Sequence, residues 1–199
     1  MKKVSVVGGG IGGLAVAIRM AVRGYDVSLF EKNEQVGGKM GQINEQGFRF
    51  DTGPSLFTQP HLLEELIHLC NKEPNDYFHY QRLKESCRYF FEDQTMIIGY
   101  SDSNLLAKEL SKKTNVSSSK VVNHLKKSAF LYNSTRRLFL DNSLHKLSTY
   151  INFKSFLAIC KIPFLDLFIS MSKRNKKRFN DTKTEQIFNR YATYNGSDP

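Results

Sequence analysis

The chain has 199 residues, 40% hydrophobic and 24% charged, with a formal net charge of +10. That length suits one domain, or one and a part, and the apolar content excludes an intrinsically disordered chain. No uninterrupted apolar run reaches the roughly 18–20 residues of a spanning helix, and no helix-turn-helix, RNP or zinc pattern accompanies the basic charge, so nucleic acid is not an expected partner.

The charge is uneven. Residues 1–99 carry 11 Lys and Arg against 12 Asp and Glu, whereas residues 100–199 carry 18 against 7. A basic second half suits an anionic surface such as a membrane. Cys70, Cys87 and Cys160 are odd in number and widely spaced, which points to reduced thiols in a cytoplasmic protein. Met1-Lys2-Lys3 mimics the start of a signal peptide, but the apolar run Val4–Val7 is too short for one.

In chain order, Lys3–Val7 reads as a strand that runs into Gly8-Gly9-Gly10-Ile11-Gly12-Gly13. A helix over Leu14–Arg23 follows, closed by Gly24, and Tyr25–Phe30 is a second strand with Glu31 at its carboxyl end. This order of strand, glycine turn, helix, strand and acid binds the ADP half of a dinucleotide. Gly8 permits the tight turn, Gly10 lets backbone approach a pyrophosphate, and Gly13 lets the helix pack closely on the strand. Glu31 can accept hydrogen bonds from ribose hydroxyls and would repel a 2′-phosphate, which argues against NADP. Gln42–Asn44 and Gly47–Phe50 read as a hairpin that delivers Asp51-Thr52-Gly53-Pro54-Ser55.

After Pro60 the pattern changes. His61–Cys70 has helical spacing, Arg88–Phe91 and Met96–Tyr100 flank a turn at Glu92-Asp93-Gln94, and Asn104–Thr114 and Lys120–Leu140 read as helices with Ser117–Ser119 supplying caps. Ile151–Met171 crowds Phe153, Phe156, Phe164 and Phe168 among other apolar residues, is broken by Pro163, and precedes the basic cluster Lys173–Arg178. Two readings stay open for it. One is an interfacial membrane anchor; the other is core helices lining an apolar tunnel, followed by a solvated basic loop. His61, His68, His79, His124 and His145 have no ligand spacing, so no metal site is expected. No catalytic residue can be named.

The triplet Gly37-Gly38-Lys39, with Lys32 beside Glu31, resembles the second signature of FAD oxidoreductases of the amine oxidase and glutathione reductase type. The runs Glu31–Lys39 and Phe48–Leu56 resemble the carotenoid desaturases, the bacterial phytoene desaturase type with its related oxygenases and retinol saturases. Leu62–Leu66, Arg88–Asp93 and Tyr191–Pro199 resemble further stretches of that family. The resemblance implies an α/β fold: a Rossmann-like FAD-binding βαβ unit with the start of an inserted mixed α+β substrate domain, incomplete here. It implies that residues 1–60 are the N-terminal part of the FAD domain and that residues 61–199 belong to a partial substrate- and membrane-facing domain.

Carried over residue by residue, Gly8, Gly10, Gly12 and Gly13 would meet the pyrophosphate and Glu31 the ribose. Lys32, Gly38 and Lys39 would lie beside them, and Gly53, Pro54 and Ser55 would point toward the flavin. The implied activity is FAD-dependent desaturation of a long, phytoene-like isoprenoid in carotenoid biosynthesis, by a protein peripheral on the inner face of the membrane. Members are well over twice this length, so the sequence reads as an N-terminal part whose remainder could be separately encoded, and it is not expected to act alone. The alternatives are another amine oxidase-like flavoenzyme, of the retinol saturase or carotenoid isomerase type, and a non-catalytic FAD- and membrane-binding remnant.

Overall fold

The computed structural model describes residues 1–54, 56–139, 145 and 169–199. They fall into two compact units, Met1–Gln81 and Arg82–Pro199.

In the first unit, β1 (Lys3–Val7) and β2 (Asp26–Phe30) pair in parallel, Lys3 opposite Asp26 through Val7 opposite Phe30. The helix α1 (Ile11–Val22) connects them. Side chains alternate across a strand, and Val4, Val6, Val27 and Leu29 occupy the more buried face. The other face carries Ser5, Ser28, Val7 at 86% exposure and Phe30 at 56%. The helix begins three residues earlier than its apolar spacing suggests, inside the glycine run. It ends in a Schellman motif: Gly24 N–H donates to the Ala21 carbonyl at 2.9 Å and Tyr25 N–H to the Met20 carbonyl at 3.2 Å, with Gly24 at φ 81°.

The strands β3 (Gln42–Glu45) and β4 (Phe48–Asp51) form the expected hairpin, with a tighter turn than expected. Its two central residues, Gln46 and Gly47, both have positive φ, as a type I′ turn requires. The helix α2 (Pro60–His68) starts on a proline, whose missing N–H costs nothing in a first turn. Arg19 of α1 reaches Glu65 of α2 at 3.0 Å. Phe57, Phe78 and Tyr80 cluster with ring centroids 5.6–5.8 Å apart. Among the described residues of this unit only Val6, Gly9, Leu66 and Pro74 are buried.

The second unit has a continuous core. The strands β5 (Glu85–Phe90) and β6 (Met96–Tyr100) form a hairpin, and α3 (Ser103–Lys113), α4 (Ser118–Phe139), α5 (Met171–Phe179) and α6 (Thr182–Asn189) follow. Ile97, Ala107, Leu110, Val116, Val121, Phe179, Ile187 and Phe188 are buried together. Three of the four helix starts are capped by a side chain: the Asp102 carboxylate accepts from Asn104 and Leu105 N–H, Ser170 Oγ from Lys173 N–H, and Asp181 from Thr184 N–H. Lys183 of α6 bonds the Asp93 carboxylate and Thr95 Oγ1 in the β5–β6 loop, which holds the Asp93 pKa down to about 2.

The basic cluster Lys173–Arg178 is helical, so the solvated-loop reading of it is corrected. Asn175 and Phe179 are buried at this helix, and an Asn175–Asn189 hydrogen bond of 2.7 Å satisfies the buried amide. A stripe of buried residues on one side is what makes so basic a segment fold. Cys160, residues 151–168 of the apolar segment and Ser55 lie outside the described residues.

Candidate dinucleotide-binding site

The site is built where β1 ends. Gly8 turns the chain at φ 99° and its N–H donates to the Phe30 carbonyl at 2.7 Å, which holds the turn against β2. Gly10 is the N-cap of α1, with no side-chain cap and no acid in the first turn. Leu14 N–H makes the first helical bond, to the Gly10 carbonyl at 2.9 Å. The N–H groups of Ile11, Gly12 and Gly13 therefore have no intrahelical acceptor, and the helix dipole adds positive potential where they point. Such an end favours a phosphate.

Close approach explains the glycines. A Cβ on Gly13 would lie 1.9 Å from the Gly8 carbonyl oxygen and 3.6 Å from Val6 Cγ1, so the helix packs directly on the turn. A Cβ on Gly9 would meet Val36 Cγ1 at 2.9 Å and Glu31 Oε2 at 3.1 Å. Gly12 meets nothing within 4 Å and stays open at the helix end.

Glu31 is locked into the turn. Its Oε2 accepts the Gly9 N–H at 2.6 Å, and its Oε1 accepts the Asn33 N–H at 3.0 Å and Asn33 Nδ2 at 2.8 Å. The Asn33 N–H, followed by the Gly9 N–H, holds its carboxyl below the usual glutamate range. It is an anion at neutral pH, and the Lys32 N–H beside it also favours the charge.

The second glycine run packs on the first. Gly37 N–H donates to the Gly9 carbonyl at 2.8 Å, and Gly10 and Gly37 form an isolated parallel bridge. A Cβ on Gly38 would lie 3.0 Å from Gly10 Cα. Lys32 and Lys39 are exposed. Gly53 crosses so close to Lys39 that a Cβ would lie 1.8 Å from the Lys39 carbonyl oxygen, and Thr52 N–H donates to the Gly41 carbonyl at 3.0 Å. The β3–β4 hairpin thus returns the chain to the glycine run, with Pro54 exposed beyond it.

Sequence reasoning missed Gly9 and Asn33, and read Gly37 as part of a signature without its contact to Gly9. The run of three glycines and the Asn two residues after the acid were the available signals; Asn33 bonds Glu31 locally, whereas Gly9 meets Glu31 and Gly37 from too far along the chain to be read from spacing. Among the described residues no group of three His, Cys, Asp or Glu is placed to hold a metal, and no helix is long and apolar enough to cross a membrane.

A parallel strand pair joined by a helix, with a glycine turn at the helix start and an acid beside it, defines a Rossmann-like dinucleotide-binding domain. Residues 6–72 match the NAD(P)-binding Rossmann-like domain family. The chain as a whole is a homologue of carotenoid desaturases and diapocarotenoid oxygenases. It is 45% identical over 199 residues to 1-hydroxycarotenoid 3,4-desaturase of Flavobacterium sp. (strain P99-3), matching 100% of this chain and 40% of that protein. It is 34% identical over 202 residues to 4,4'-diapolycopene oxygenase of Methylomonas sp, and 31% identical over 196 residues to 4,4'-diaponeurosporene oxygenase of Staphylococcus haemolyticus (strain JCSC1435). These two matches cover 100% and 98% of this chain and 39% of each relative. The chain spans about two fifths of the length of these relatives.

Proposed function

We propose that residues 1–60 hold the ADP part of FAD and that the chain is the corresponding portion of an FAD-dependent carotenoid desaturase. The observation that carries the reading is likeness along the whole chain to a carotenoid desaturase, at 45% identity. The site fits the cofactor. Backbone at Gly8–Gly13 leaves an uncapped helix end for the pyrophosphate, and the Glu31 carboxylate, an anion, stands beside it to accept from a ribose hydroxyl. Lys32, Gly38, Lys39, Gly53, Pro54 and Ser55 follow as the neighbouring contacts. When bound, FAD would supply hydride acceptance, so this chain's residues are asked only to bind and orient it. The substrate class is a long, neutral isoprenoid of the phytoene kind.

Residues 61–199 belong, on this reading, to a substrate- and membrane-facing part. The exposed Lys173, Lys176 and Lys177 of α5 support peripheral attachment at the anionic inner face of a membrane. The one-sided sheet supports a need for further polypeptide, because parallel strands are ordinarily covered on both faces. The test is expression in a phytoene-producing host, alone and with the remaining three fifths of the Flavobacterium relative supplied in trans. Colour in the second case only is the expected result. A purified complex that retains NADP and no flavin would overturn the cofactor assignment, and full desaturation by the chain alone would overturn the need for a second part.

A further inference from the structure

Glu31 follows directly on β2, in a stretch that is neither helix nor strand, so no regular element orients its side chain. A glutamate so placed has soft torsions, the terminal one broadest, and a ligand that must order it loses affinity to rotamer entropy. Asn33 removes that freedom beforehand. Its backbone N–H, at 3.0 Å, and its side-chain Nδ2, at 2.8 Å, both donate to Oε1, while the Gly9 N–H donates to Oε2 at 2.6 Å. Both oxygens are thus held, and two donors on Oε1 resist rotation of the carboxylate more firmly than one.

The hold leaves the charge intact. The Asn33 N–H first, then the Gly9 N–H, favour the ionised carboxyl, and neither neutralises it as a cation would. A short amide suits this task. It can return to an acceptor two residues back, a local bond that Asn makes readily in turns. An Asp at the same place would set a second anion against Glu31.

We propose that Asn33 is a positioning residue for adenosine recognition: its side-chain amide holds the Glu31 carboxylate in the orientation that accepts the ribose 2′-hydroxyl, and so sets the preference for ribose over 2′-deoxyribose. The proposal rests on the reading of Glu31 as the ribose acceptor. Asn33 acts through Glu31 and is not asked to touch the cofactor. Pre-ordering an acceptor in this way raises affinity without adding a contact.

The probes are ADP and 2′-deoxy-ADP, titrated by calorimetry into the full chain, into Glu31→Gln and into Asn33→Leu, which keeps the approximate shape of the amide and removes its donor. Should circular dichroism show Asn33→Leu misfolded, Asn33→Ala replaces it. The readout is the ratio of the two affinities. Damage to the glycine turn weakens both ligands alike, because the pyrophosphate is common to them, and leaves the ratio unchanged; loss of orientation at Glu31 lowers it. The parent is expected to prefer ADP by about tenfold, as a hydrogen bond to a charged acceptor implies, with the preference abolished in Glu31→Gln and reduced about threefold or more in Asn33→Leu. A preference that disappears in Glu31→Gln but is undiminished in Asn33→Leu overturns the role of Asn33 and leaves the ribose reading standing. A parent that does not bind ADP, or that binds both nucleotides equally, overturns the ribose reading and the role of Asn33 with it.

Discussion

Glu31 does two jobs with one carboxylate. It fastens the glycine turn through Gly9 and orders Asn33, and it remains charged because both partners donate to it. Glu31→Gln keeps the shape but loses the charge; Glu31→Ala loses both. ADP affinity, read by calorimetry on the full chain, is expected to fall about tenfold for Gln and further for Ala, as loss of a charged acceptor implies. Gly13→Ala should be worse for the fold, since its Cβ would sit 1.9 Å from a backbone oxygen that no side-chain rotation can move. Forced backbone shifts of this kind cost about 1–3 kcal/mol, measurable by urea unfolding. His124 sets an acid limit. Burial, then the Arg178 charge, holds its folded pKa down to about 4, below the ordinary histidine value of 6.5, so the unfolded chain binds the proton first. Stability is therefore intact above about pH 6.5 and is lost as pH falls toward 4. Melting temperatures of the parent should drop across that window, and those of His124→Gln should drop less.

The elements most legible in the sequence are those whose signals are local. Five-residue β1, the Gly24 stop, the β3–β4 and β5–β6 hairpins and α3 all carry their own turn or cap chemistry within a few residues. The helices α5 and α6 were not legible, because Lys173–Arg178 reads as a solvated charge run until Asn175 and Phe179 find partners on α6 and in the core. The role of Gly53 was legible only as a motif; its reason, the Lys39 carbonyl, is a tertiary contact. Two element-scale predictions follow from these contacts. Gly53→Ala is expected to dislodge the return of the hairpin and to lower ADP affinity with little change in helix content by circular dichroism. Lys183→Met should release the β5–β6 loop from α6 with little loss of global stability, because the pair lies at the surface, while the Asp93 pKa, read by NMR, should rise from about 2 toward the ordinary carboxylate value.

At the scale of the molecule the two units differ in how they are held. Arg82–Pro199 has a continuous core from Ile97 to Phe188, whereas the described residues of Met1–Gln81 bury few side chains and leave Val7 and Phe30 facing outward. The first unit depends on backbone contacts between glycines more than on apolar burial. Hydrogen exchange should report this: amides of β6, α3 and α6 are expected to exchange slowest, and those of β3 and β4, where every residue is exposed, among the fastest. Added FAD should slow exchange in β1 and at the start of α1 and leave β6 unchanged. Equal protection of both units without ligand would contradict this division.

The apposition of Gly10 and Gly38 bears on how such a site can drift over generations. A methyl added at Gly10 would find its nearest neighbour, Gly38 Cα, at 3.9 Å, an ordinary contact; one added at Gly38 would be at 3.0 Å from Gly10 Cα, on backbone already at φ 60°. Within the protein Gly10 therefore has more room for a side chain than Gly38, but a side chain there would enter the path proposed for the pyrophosphate. The two positions are coupled, and the Gly10→Ala/Gly38→Ala double variant should lose more stability than its singles combined. Such a pair confines descendants to a narrow corridor: one member can vary only while the other stays bare.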